Sequence, residues 1–149
     1  MKKIYAIFLL IFLIGCSKNL NKNLSEVSIN NGKNLIKINV EIADDNQERI
    51  KGLMFREKLD EYEGMLFIFD DEEYQTFWMK NALIPLDVVF IDRKLKIIDI
   101  KHAVPCNKNS CDLYQSEHPA AYVLEVNGNF TTKNRINIGD KIKLKLHNI

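Results

Sequence analysis

A mostly β fold, closed as a sandwich or a barrel, is what this sequence predicts. Apolar segments of strand length recur at close spacing between turn residues, and only one stretch has clear helical periodicity. The length of 149 residues suits one domain rather than two.

The first residues stand outside that domain. Lys2 and Lys3 precede the unbroken apolar run Ile4 to Ile14, which is too short for a helix to span a bilayer. A charged start, a short apolar core and a small residue are the grammar of a secretory signal peptide, here residues 1–15. Leu13-Ile14-Gly15-Cys16 resembles a bacterial lipobox. That resemblance implies a lipid on Cys16 and a mature lipoprotein anchored at the extracytoplasmic face of a cell membrane or outer membrane. Residues 16–34 are rich in Asn, Ser and Lys and read as a flexible tether. The domain is then expected over residues 35–149. Losing residues 1–15 removes two lysines and no acid, which turns the net charge from +1 to −1. No basic excess points to a nucleic-acid partner.

Leu35 to Ala43 alternates apolar and polar residues, the period of a half-buried strand. Asp45-x-x-Glu48 fits a capping box, so a short amphipathic helix is expected from about Asn46 to Met54, with Gly52 near its end. Met65 to Phe69 and Thr76 to Lys80 read as strands around an exposed acidic segment. Leu86 to Asp92 and Leu95 to Lys101 read as a hairpin. Val104 to His118 is polar and reads as a long loop. Ala120 to Asn127 is a strand, Phe130 to Arg135 a helical turn, and Lys141 to His147 a last alternating strand.

The chemistry-bearing residues cluster near residues 52–91. Asp87 and Glu125 each sit on an otherwise apolar strand face. A carboxylate there must be paired, hydrogen-bonded or protonated. Arg56, just after the helix, is the expected partner, because its fork matches a carboxylate. Met65 and Trp78 would wall a pocket over these groups. Met54, Met65 and Met79 offer thioethers, though gap-filling against aromatics explains them as well. Cys106 and Cys111 form an even pair in an exported chain, which favours a disulfide. The alternative is a zinc site with His102 and His118. No phosphate-binding glycine loop, Gly-x-Ser-x-Gly elbow or Cys-x-x-Cys pair occurs, so neither a cofactor nor a covalent mechanism is expected.

The segments GLMFR, GMLF, FWMKN and IPLDVVFID, followed by a Pro-Cys loop, AYVLEVNG and a terminal IGD turn, resemble the domain of unknown function 192 family. The resemblance spans about residues 37 to 145 in the family's order. It implies a compact, jelly-roll-like β fold with one or two short helices, and it implies no activity. Asn129-Phe130 departs from the small residue frequent there.

Together these readings describe a cell-envelope lipoprotein with a small-ligand-binding or accessory role. Its pocket would be floored by Arg56, Asp87 and Glu125. The alternatives are a hydrolase-like enzyme using the two carboxylates as acid and base, and a purely structural envelope protein. The anchor is directly testable. Cys16→Ala should abolish incorporation of a labelled fatty acid, and undiminished labelling would refute it.

Overall fold

The computed structural model describes residues 25–106 and 110–147. The signal peptide, Cys16 and the first part of the expected tether lie outside them. The strands are β1 (Ser25–Asn30), β2 (Leu35–Ala43), β3 (Glu63–Glu73), β4 (Thr76–Trp78) and β5 (Leu86–Ile91), then β6 (Ile97–Ala103), β7 (Leu113–Gln115), β8 (Ala120–Asn127) and β9 (Lys141–Lys145). Two short helices, α1 (Asn46–Lys51) and α2 (Phe130–Lys133), interrupt them.

Seven strands form one sheet in the order β6-β5-β8-β3-β2-β1-β9, and β4 pairs with β7 as a separate ribbon. The β2–β3 pair is parallel, with α1 in the crossover; every other pair is antiparallel. The sheet curls until its two edges meet. Lys96 bridges Lys141, Ile97 N–H donates to Asp140 O, and Ile142 N–H donates to Leu95 O. Curling in this way covers the edges that would otherwise invite association.

Alternation splits the core between two faces. Val27, Ile29, Ile38, Val89, Leu124 and Ile142 pack within the curl, where α2 contributes Phe130 as a plug. Phe67, Met79, Leu86, Val88, Phe90 and Val123 pack on the outer face, beneath Leu53 and the β4–β7 ribbon. Strand β5 is buried along its whole length because both faces are covered.

Local signals explain most elements. Asp45 caps α1 by accepting from Glu48 N–H at 2.8 Å, and Glu48 reaches back to Asp44 N–H at 3.3 Å. The helix stops at Lys51 rather than Met54, because Gly52 takes φ +46° and its N–H closes onto Glu48 O. Cys106 and Cys111 are joined as a disulfide, with Cα atoms 5.4 Å apart. This uses both sulfur ligands of the alternative zinc set. The loop expected over residues 104–118 contains β7, which the ribbon with β4 draws into strand geometry.

The tether expectation needs correction. Residues 25–30 are not tether but β1, hydrogen-bonded to β2 on one side and β9 on the other. Val27 and Ile29 are fully buried. Neighbours on both sides impose the strand where local propensity is weak.

A chain beginning at Ser25 should therefore unfold cooperatively, whereas one beginning at Leu35 should lose several kcal/mol, since each buried Val or Ile is worth about 1.5–3 kcal/mol. Urea titration followed by circular dichroism measures the difference, and equal midpoints would contradict the role given to β1.

Candidate functional site

Strand register decides where the two carboxylates go. Val88, not Asp87, stands opposite Glu125 in the β5–β8 pair. Asp87 therefore faces the interior of the curl, and Glu125 faces the outer side. The expected pocket floor of Arg56, Asp87 and Glu125 does not assemble, and the carboxylates cannot act as an acid–base pair across one cleft.

Arg56 is paired elsewhere. Its guanidinium grips Glu41 in a two-pronged contact at 2.7 and 2.8 Å, with about a third of each side chain exposed. Those hydrogen bonds raise the Arg56 pKa, and partial burial offsets some of the rise. Glu41 stands beside Met65 in the parallel register, and Met65 stands beside Glu125. One strand thus separates the Arg56–Glu41 pair from Glu125, a gap of about 10 Å. The buried Met65 side chain fills the position between them.

Asp87 is fully buried and fully used. Its Oδ1 accepts from Asn129 N–H at 3.0 Å and lies 2.7 Å from His102 Nδ1. Its Oδ2 accepts from Thr131 N–H at 2.8 Å and from Thr131 Oγ1 at 2.6 Å. Asn129 takes φ +67° to aim these donors, a conformation that asparagine tolerates. Phe130 turns inward and packs edge-on against Tyr62 at 5.7 Å. The unusual Asn129-Phe130 pair therefore builds a turn that wraps a carboxylate.

Glu125 is the opposite case. Only 5% of the residue is exposed, yet no side chain or backbone donor among the described residues reaches its carboxyl. No sealed polar atom in the described structure lacks a partner, so the carboxyl retains access to the cleft it lines. Burial pushes its pKa up from an ordinary 4.5 to about 8. At neutral pH it is therefore mostly the free acid, a hydrogen-bond donor as well as an acceptor.

The cleft lies between the end of α1 and β4. Its cavity of about 40 Å³ is bordered by Phe67, Phe77, Met79 and Leu86, with Trp78 and Lys80 at the side. That volume accommodates a water-sized group or the tip of a larger molecule. Gly52 of the sequence signature borders this cleft, whereas Gly64 faces the inner side against Val126 and Leu124. A Cβ on Gly52 would sit 3.3 Å from the Phe67 ring and 3.8 Å from Glu125 Oε2. A Cβ on Gly64 would come within 2.5 Å of the Glu125 carbonyl oxygen. Trp78 is 46% exposed, with Lys80 Nζ 5.0 Å above its ring. The spacing of Gly52-Leu53-Met54 and Gly64-Met65 was legible in the sequence; the approach of Gly52 to Glu125 was not. Sequence reasoning also missed Glu41, a polar alternate of a half-buried strand, and His102 as a partner of Asp87.

Comparison with known proteins fits this picture. The family model DUF192, described as "Uncharacterized ACR", matches residues 27–144. A protein of unknown function from Novosphingobium aromaticivorans DSM 12444, seen in a crystal structure, is 33% identical with a TM-score of 0.74. The match covers 79% of this chain and 83% of that one. A putative transcription regulator from Sinorhizobium meliloti 1021 is 32% identical with a TM-score of 0.74, over 80% of this chain and 93% of that one. No curated protein matches.

The raised pKa has a signed consequence for stability. Between about pH 4.5 and 8 the folded state keeps the Glu125 proton and the unfolded state releases it. Stability attributable to this group therefore falls as pH rises through that window and is level above it. Glu125→Gln, neutral at every pH, should lack this fall. Relative to the variant, the wild type should lose on the order of 4 kcal/mol across the window, read from denaturant midpoints at each pH. Parallel pH profiles would show that the carboxyl is ionised when folded.

Proposed function

This chain belongs to the DUF192 family, and we propose that it is a small-ligand-binding module of the cell envelope with its site at Glu125. The observation that carries this reading is a buried carboxyl with no partner among the described residues, open to a cleft walled by aromatic side chains. Leaving such a group unpaired costs stability, and a ligand that accepts its hydrogen bond recovers that cost. Perturbed groups of this kind concentrate at functional sites.

The site favours a small polar molecule with a carbonyl, amide or hydroxyl end. Only that end fits the cavity beside Glu125. The remainder would lie against the exposed face of Trp78, whose ring offers a flat apolar surface. Lys51 and Lys80 line the same cleft and favour ligands without net positive charge. A two-carboxylate hydrolase is disfavoured, because Asp87 and Glu125 face opposite sides of the sheet. A purely structural role leaves the unpaired Glu125 without a purpose. The near-neutral charge gives no support to nucleic-acid binding, although one relative is titled a putative transcription regulator.

The anchor belongs to the same reading. Lipid at Cys16 would hold the domain at the extracytoplasmic face of a bacterial membrane, with residues before Ser25 as the connection. One acyl chain binds marginally, so stable anchoring needs more than one.

The decisive variant is Glu125→Leu, which keeps the volume and removes the polarity. It should raise the melting temperature, since a desolvated polar group is replaced by an apolar one. It should also abolish retention of small molecules by the lipid-free chain beginning at Ser17, measured by native mass spectrometry. A more stable variant that retains the same molecules as the wild type would end the proposal.

A further inference from the structure

The inner face of the sheet opens at one end onto a second groove, independent of the Glu125 cleft. It lies between β6 and the α2 turn, encloses about 770 Å³, and is bordered by Ile100, His102, Thr131, Thr132, Arg135 and Ile136 among others. Among the described residues no acidic side chain lines it.

His102 is set in this groove by Asp87. A carboxylate offers about four acceptor positions. Asn129 N–H, Thr131 N–H and Thr131 Oγ1 occupy three, and His102 Nδ1 takes the fourth at 2.7 Å. A carboxylate only accepts, so Nδ1 carries its hydrogen, and Nε2 is left for another partner. The His102 side chain is 57% exposed, which leaves Nε2 free to meet a ligand. Exposed imidazoles on strands ordinarily sample several rotamers. This one is held by an anchor that is itself fully buried and bonded on every side.

Arg135 supplies the complementary charge. It is exposed, lines the same groove, and no described acid pairs with its guanidinium. A positioned imidazole and an unpaired cation lining one groove suit a ligand that carries negative charge and can share a proton. A phosphate group does both, because its second pKa near 6 makes monoanion and dianion accessible near neutral pH. Simple carboxylates, already ionised, lack the hydrogen.

We propose that this groove binds a phosphate group, with a P–OH donating to His102 Nε2 and the oxyanion oxygens paired to Arg135. One proton is shared between imidazole and phosphate, so the complex is the same whichever partner brings it. Asp87, which faces the ring across its Nδ1 side, stabilises the charge that the ring takes up. Thr132 adds a hydroxyl on the same wall. The groove volume leaves room for an organic group on the phosphate.

The test uses the isotopically labelled chain beginning at Ser17, with inorganic phosphate as the probe and chloride holding ionic strength constant. The His102 Nε2 resonance should shift saturably. Arg135→Gln, which keeps the side-chain stem, should weaken the effect at least tenfold while the remaining spectrum shows an intact fold. Lys58→Ala, removing a remote exposed charge, should change nothing. Flotation with phosphatidic acid vesicles, whose phosphomonoester headgroup can keep an acidic hydrogen, separates the sources of the phosphate. Arg135-dependent flotation without a response to free phosphate would assign a lipid headgroup, and a response to free phosphate alone would assign a soluble ligand. If neither probe responds, or if Arg135→Gln responds as the wild type does, the proposal is wrong.

Discussion

Asp87 holds the curled sheet to the plug that closes it. It sits on β5, the strand buried along its whole length, and receives donors from a turn more than forty residues later in the chain. Without that carboxylate, the Asn129 and Thr131 N–H groups would lose their partner, that of Thr131 in the buried interior. Each unsatisfied buried donor costs about 1–3 kcal/mol. The turn in turn carries Phe130 into the interior and leads to Ile136, which seals the same cluster. A buried charge is tolerated here because every lone pair is occupied. The same charge with one donor missing would be a liability.

Glu125 shows what the sheet does with a carboxyl it does not satisfy. The residue lies on a central strand beside Met65 and Val88 and is buried, as Asp87 is. Among the described residues no turn wraps it and no cation pairs with it. The Arg56 guanidinium is committed to Glu41, and that of Arg49, which borders the cleft, to Asp44 O, Ile68 O and Asn46 Oδ1. Burial then moves the proton rather than breaking the fold, and the acid stays neutral. Gly52 keeps backbone close to it without filling the space before its oxygens. The fold maintains that opening at the expense of stability, which is the pattern of a site shaped for something other than folding.

The sequence made the strands legible where alternation was long enough to dominate. Leu35–Ala43 and Ala120–Asn127 fall at the predicted ends. β1 was hidden because only Val27 and Ile29 mark its inner face, amid serines and asparagines of low strand propensity. Its conformation comes from partners distant in the chain. The candidate carboxylates were legible for the same reason the strands were, since an acid on an apolar face breaks the pattern. Their relation was not. Alternation within one strand says which residues share a face of that strand, but only register says which faces of two strands coincide. A shift by one residue separates Asp87 from Glu125 and joins Asp87 to His102. The partner of Arg56 failed for a related reason. Glu41 looked like the solvent side of a half-buried strand, whereas that side is where α1 and the following loop come down.

The two carboxylates therefore stand back to back, on adjacent central strands and opposite faces. One sheet can carry both because each face is closed by different material. The inner face is closed by α2 and its turn, which bring backbone N–H groups. The outer face is closed by the end of α1 and the β4–β7 ribbon, which bring aromatic rings and few donors. The donors available on each side, more than the identity of the acid, decide the outcome. Aspartate meets donors and becomes an ionic anchor that orients an imidazole. Glutamate meets rings and becomes a neutral acid at the foot of a cleft. Exchanging the covers would exchange the roles, so the chemistry of this domain resides in the short irregular segments that the sheet positions.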